Sequence, residues 1–188
     1  MTRRLGLFGG TFDPPHVGHV RVLETARATG WFDELVVTVA GDPWQKSANR
    51  TLQPAAWRFA LATAAFGEMA GVTVSDRELR RGGPTFTVDT VRELVARGDE
   101  VTLIVGEDAA EGLDTWHEAE ELARLVRVAV VPRGGRRVSV PKPWRVRRLE
   151  MEPVDLSSTT LRDQGLREPS AREFLPAALV PLLAQSPR

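Results

Sequence analysis

The sequence predicts an α/β fold, a single doubly wound parallel sheet with helices on both faces. Two observations predict it. Short apolar, β-branched runs alternate with stretches of helical spacing along the chain, and glycine or proline marks the junctions between them. At 188 residues the chain has the size of one ordinary core, so a single domain is expected over 1–188, with a helical part over about 157–184.

The elements follow in order. Leu5, Gly6, Leu7 and Phe8 make a short apolar run, and residues 17–29 carry apolar side chains at helical spacing. Leu35, Val36, Val37, Thr38 and Val39, bounded by Gly30 and Gly41, read as a buried strand, which completes a β-α-β start. Residues 54–66 put Pro54 at a first helical position and repeat Trp57, Leu61 and Ala64 or Ala65, giving a second helix. Val72, Thr73 and Val74 are a short strand candidate. Residues 87–97 set Val88, Val91, Leu94 and Val95 on one face of a helix that Gly98 ends. Residues 101–105 are the cleanest buried strand, with Gly106 immediately after; a helix over about 118–125 and a strand over 128–131, stopped by Pro132, complete the alternation. Residues 174–183, FLPAALVPLL, form a terminal apolar helix interrupted by Pro181, which serves packing, within the chain or against a second copy in a homo-oligomer. In such a sheet, ligands bind beyond the carboxyl ends of the strands.

Composition narrows the function classes. Lysine and arginine (25) balance aspartate and glutamate (25), so there is no net field to attract nucleic acid or a membrane surface, and any polyanion site must be local. No cysteine is present, which excludes disulfides, thiolate metal sites and a cysteine nucleophile. No apolar stretch approaches the roughly 20 residues of a membrane helix, and the first residues run into the glycine motif without a signal-peptide core, so a cytoplasmic location is expected. Two charge blocks stand out: seven acids without a base over 107–121, and seven bases without an acid over 133–148. Each reads as a solvated face or loop, Arg133 excepted. Residues 134–143, GGRRVSVPKP, read as the most mobile loop.

The most informative stretch is GGTFDPPHVGH, residues 9–19, at a strand-to-helix junction. Gly9 and Gly10 lack Cβ atoms, so the backbone can turn sharply and a phosphate can approach its N–H groups. Pro14 and Pro15 stiffen the loop before a helix that begins near Gly18. His16 and His19 are three residues apart, so both imidazoles can face one anion at the helix start, where the dipole favours negative charge. The stretch matches neither GxGxxG nor a P-loop, since the third glycine and the Gly-Lys-Ser or Gly-Lys-Thr ending are absent.

This stretch resembles the (G)GTFDxxHxGH signature of the nucleotidylyltransferase superfamily, and further segments resemble its bacterial nicotinate mononucleotide adenylyltransferase branch along nearly the whole chain. That resemblance implies a Rossmann-like fold and assigns His16 and His19 to catalysis, with Gly9, Gly10 and Thr11 at ATP. Pro43, Trp44, Gln45 and Lys46 resemble a motif ending in a basic residue, which implies Lys46 at the ATP phosphates; by itself Lys46 reads as an exposed lysine. RGGPTFTVDT over 81–90 resembles the pyridine-binding stretch, so Thr85, Phe86 and Thr87 are implied at the acceptor, with Phe86 where tyrosine is usual; by itself the loop is a helix cap. Gly106 and Asp108, with Trp116 eight residues after the aspartate, resemble the family's GxD and tryptophan arrangement. Asp108 can accept ribose hydroxyls and a tryptophan face can stack on a pyridine ring, although Trp116 alone reads as core. Arg133 resembles the basic residue after the fifth strand and otherwise reads as loop charge.

Residues 155–162, DLSSTTLR, resemble the superfamily's ISSTxxR, which implies Ser157, Ser158, Thr159 and Arg162 at the ATP phosphates; serine and threonine there also cap a helix. The activity implied is transfer of AMP from ATP to nicotinate mononucleotide, with Mg²⁺ escorting ATP and no residue set aside as a metal ligand. The same chemistry on nicotinamide mononucleotide or pantetheine phosphate, and a catalytically silent nucleotide-binding protein, are the alternatives. Cytidylyl transfer to a phosphorylated alcohol is disfavoured because the RTEGISTT form is missing.

Overall fold

A computed structural model describes residues 2–42, 52–132, 139–152, 156–166 and 168–184. Strand β1 (Arg4–Gly10) leads through the loop 11–16 into helix α1 (Val17–Ala28), and β2 (Glu34–Val39) returns beside it. Helix α2 (Ala55–Phe66), strand β3 (Val72–Ser75) and helices α3 (Arg77–Arg81) and α4 (Thr87–Val95) follow. Then come β4 (Glu100–Gly106), α5 (Glu107–Glu111), α6 (Ala119–Leu125), β5 (Val126–Val131) and β6 (Val146–Arg148). Helices α7 (Ser158–Gln164), α8 (Pro169–Arg172) and α9 (Val180–Ala184) close the described chain.

The six described strands form one sheet in the order β3-β2-β1-β4-β5-β6, and every pair is parallel. Alternate residues of each strand face opposite sides, and both sides are covered. Leu5, Leu7, Val101, Leu103, Val105, Val128 and Val130 pack with Val88, Val91 and Leu94 of α4 and Leu122 of α6. On the other side Phe8, Leu35, Val37, Ile104 and Ala129 pack with Val22, Leu23 and Ala26 of α1 and Ala62 and Phe66 of α2. Burial on both faces is why the strands read as continuous apolar runs.

Three elements escape the sequence reading. α3 (RELRR) and α5 (EDAAE) are single turns without an apolar period, and all three residues of β6 are exposed, so no hydrophobic signal marks it. At the terminus Pro181 opens α9 rather than interrupting a longer helix, because a 3₁₀ turn over Ala177–Leu179 precedes it. There Leu175, Leu179 and Leu183 pack on Leu61 and Leu161 of this same chain. The loop read as mobile lies outside the described residues over 134–138.

The two central strands part company at one point. β1 pairs with β4 only from Arg4↔Glu100 to Leu7↔Leu103, whereas it pairs with β2 as far as Gly10↔Val39, and β4 pairs with β5 as far as Gly106↔Val131. Successive connections run from β1 toward one edge of the sheet and from β4 toward the other, so this is the switch point of the topology. A crevice opens there, between the carboxyl ends of β1 and β4.

Gly6 lies on the paired part of β1, where a Cβ would stand 2.5 Å from Leu35 Cδ2 and 3.1 Å from Ile104 Cδ1. Gly6→Ala is expected to cost about 1–3 kcal/mol through overpacking. Urea unfolding should show the midpoint falling; an unchanged midpoint would mean that Leu35 turns aside freely.

Candidate active site

The crevice is a cleft of about 1010 Å³. Gly9, Gly10, Thr11, His16 and His19 line it from β1 and the start of α1; Gly106 and Asp108 come from the end of β4, and Trp116 from the segment after α5. Thr85 and Thr87 approach from the start of α4, and Ser157, Ser158 and Thr159 from the start of α7. Thus residues far apart in sequence share one space.

The glycine-proline loop is shaped by packing. Gly9 and Gly10 are the last residues of β1, not the turn; the reversal occurs at Phe12, whose φ of 50° is left-handed. Such a conformation costs a non-glycine residue of order 1–3 kcal/mol and persists where surroundings enforce it. Here Phe12 is 2% exposed, edge-on to Phe8 at 5.6 Å, Phe66 at 5.5 Å and His19 at 5.1 Å. A Cβ on Gly10 would lie 2.7 Å from the Phe12 ring, so that glycine makes room for an aromatic side chain. The need for glycine at position 10 is therefore steric, within the protein.

The two histidines form a unit. His16 caps α1 in an extended conformation, its ring stacked on that of His19 with centroids 3.7 Å apart. The His16 backbone N–H donates to His19 Nδ1 at 3.1 Å. That bond requires an unprotonated Nδ1, so in neutral His19 the proton sits on Nε2, a donor.

Loop carbonyls are taken up by distant donors. Ser158 Oγ donates to Pro14 O at 2.8 Å, and the Arg162 guanidinium donates to Asp13 O and, at 3.1 Å, to Thr159 Oγ1. Ser157 Oγ accepts the Thr160 N–H at 3.0 Å, the cap that starts α7. Arg162 thus holds the loop from α7, and Phe86 stacks on His117 at 4.0 Å.

Two site residues were missed from sequence. Arg58 of α2 is 2% exposed and donates to Gln53 O (2.9 Å), Thr11 O (2.8 Å), Ala40 O (2.7 Å) and Gly41 O (3.0 Å), tying the loop to the end of β2. Burial lowers its pKa and the charge of Asp13 opposes that shift. The signal was available: a charge on the same helical face as Leu61 and Ala62. Glu78 of α3, 7% exposed, also lines the cleft, and no periodicity announced its helix.

The charge blocks resolve in part into pairs. Glu107 is bridged by Arg148 at 2.7 Å, which ties α5 to β6, and Arg92 of α4 holds Glu118 and Glu121, joining α4 to α6. Those pairings raise the Arg92 pKa and lower that of Glu121.

Residues 7–164 match the cytidylyltransferase-like family. The chain is 41% identical over 169 residues to the probable nicotinate-nucleotide adenylyltransferase of Albidiferax ferrireducens, covering 85% of this chain and 84% of that one. It is 38% identical over 190 residues to the protein of the same description from Methylibium petroleiphilum, covering 97% and 89%. The chain belongs to the nicotinate-nucleotide adenylyltransferase family. Its fold is that of Plasmodium falciparum nicotinic acid mononucleotide adenylyltransferase complexed with NaAD, with a TM-score of 0.79 over 97% of this chain and 95% of that one at 16% identity.

Two residues that the adenylyltransferase resemblance assigns, Lys46 and Arg133, lie outside the described residues. In this member of the family Arg58 organises the loop, and Arg58→Ala would leave four carbonyls without their donor. A buried acceptor left without a donor costs about 1–3 kcal/mol, so thermal unfolding should move to markedly lower temperature. Arg58→Lys, with one compact charge for a forked one, should recover only part of it.

Proposed function

We propose that the protein transfers AMP from ATP to nicotinate mononucleotide, giving nicotinate adenine dinucleotide and pyrophosphate, a step in NAD biosynthesis. One observation carries this reading: the His16/His19 pair and the Ser157–Thr159 segment line a single cleft and are joined by the Ser158 to Pro14 hydrogen bond. Two phosphate motifs around one space suit a reaction between two phosphorylated partners.

In the proposed reaction an oxygen of the mononucleotide phosphate attacks the α-phosphorus of ATP in line. The bond to the bridging oxygen breaks, and pyrophosphate leaves with the electron pair. The nucleophile is already ionised near neutral pH, so no covalent enzyme intermediate is required; positioning and charge stabilisation supply the catalysis. His19 Nε2–H, His16 and the start of the twelve-residue α1 provide donors and positive potential at the phosphates. Ser157, Ser158 and Thr159 would contact the triphosphate, with Arg162 holding the loop against them and Lys46 as a further phosphate contact. At the acceptor end, Asp108 would accept ribose hydroxyls and Trp116 would stack on the pyridine ring, with Thr85, Thr87 and Gly106 beside it and Arg133 a further contact.

ATP would enter as its magnesium complex, the ion offsetting part of the phosphate charge when bound. Among the described residues no group of three or more His, Asp or Glu could hold a metal ion. Among the same residues no helix is long and apolar enough to cross a membrane. A cytoplasmic location completes the proposal.

His19→Ala should lower turnover on the order of 10²-fold or more, measured as pyrophosphate release by the folded variant; near-normal turnover would remove His19 from the chemistry. In a panel of acceptors with ATP, nicotinate mononucleotide should give the highest kcat/KM. A preference for nicotinamide mononucleotide or pantetheine phosphate would reassign the acceptor, and binding without pyrophosphate would identify a silent nucleotide-binding protein.

A further inference from the structure

We infer that Glu78 is a specificity-determining residue of the acceptor end, whose carboxyl takes up a proton when an acidic acceptor seats beside Thr85 and Thr87. The inference rests on the function proposed above and adds a residue and a proton to it.

Glu78 lines the cleft together with Thr38, Thr85 and Thr87. Its carboxyl is held by Thr90 of α4, whose hydroxyl donates to Oε1 at 2.9 Å, and the hydroxyl of Thr38 on β2 is close enough to favour the charged form as well. Thr38 and Thr90 are 1% and 0% exposed, so both hydroxyls meet the carboxyl away from bulk solvent. The arginines of its own helix are directed elsewhere. Arg81 donates to Thr90 Oγ1 at 3.2 Å and pairs with Glu93, while Arg77 donates to Ser75 Oγ at 3.0 Å and reaches the same Glu93. Among the described residues no cation stands in ion-pair contact with Glu78.

A buried carboxyl with hydroxyl partners and no ion pair favours its neutral form. Burial pushes Glu78 above the ordinary carboxylate range, against the Thr90 bond, the more distant charge of Arg81, the Thr38 hydroxyl and Arg77. Its neighbours therefore leave it able to titrate. An acceptor bearing both a phosphate and a ring carboxylate adds negative charge to the same cleft, where like charges disfavour each other. The uncharged carboxyl is the form that admits it, so binding and protonation are linked. An acceptor with a neutral ring amide brings less charge and should be linked more weakly, so Glu78 sets how the balance between the two acceptors changes with pH, nicotinate losing ground as pH rises.

The test compares wild type with Glu78→Gln, which keeps a hydrogen-bond acceptor and removes the ionisable group, over a pH series that starts near the ordinary glutamate value of about 4.3 and runs up past neutrality. The ratio of wild-type to variant KM for nicotinate mononucleotide is expected near unity at the acid end. Above the titration of Glu78 it should rise by up to about tenfold per pH unit. Ionisation of the substrate itself is common to both proteins and cancels in the ratio, and the corresponding ratio for ATP should stay flat. A nicotinate ratio that does not change with pH, or one that ATP shares, overturns the inference. Should Glu78→Gln fail to fold, calorimetric titration of the wild type in two buffers of different ionisation heat counts the protons. Greater uptake with nicotinate than with nicotinamide mononucleotide supports the inference, and equal uptake overturns it. A wild-type protein that binds these nucleotides yet releases no pyrophosphate would fail the proposed reaction instead, and proton counting still decides Glu78.

Discussion

Everything in the cleft depends on the place where β1 and β4 stop pairing. Up to Leu7↔Leu103 the two strands share a ladder, and beyond it each keeps only its outer partner. A parallel sheet whose connections leave two neighbouring strands in opposite directions must have such a point. The glycines at the strand ends, Gly10 and Gly106, both line the opening. The location of the site is thus a property of chain order, and the residues at the strand ends inherit it.

A loop that leaves a sheet at such a point loses its ladder partners and has to satisfy its backbone by other means. In this protein the carbonyls of Thr11, Asp13 and Pro14 are taken by Arg58, Arg162 and Ser158, and the His16 N–H by His19. Carbonyl oxygens near a phosphate repel it, so occupying them with donors also suits the space to an anion. The same side chains therefore serve the fold and the site. Positive φ at Phe12 is the conformational cost, offset by a buried ring contacting three aromatic neighbours.

The limits of sequence reading follow from particular residues. Strands β1, β2, β4 and β5 were legible because both faces are buried, leaving nearly unbroken apolar runs, whereas β6 carries only exposed side chains and pairs through its backbone. Gly10 was recognisable as a required glycine, yet its reason, a ring 2.7 Å from where Cβ would lie, is visible only once Phe12 is placed. The acidic and basic blocks looked like solvated surface. Arg148 instead reaches a Glu107 side chain only 3% exposed, and no local pattern reveals a partner 41 residues away.

By itself the sequence determined the alternation of strand and helix, the motif at residues 9–19 and the serine-threonine start of α7, since each is written in neighbouring residues whose spacing sets local conformation. Tertiary structure alone decided that these segments share a cleft, that Ser158 and Arg162 grip a loop 144 and 149 residues away, and that Arg58 and Glu78 belong to the site. Contacts of that range arise only when the sheet brings strand ends together, because burial and hydrogen-bond satisfaction are settled by packing over the whole chain.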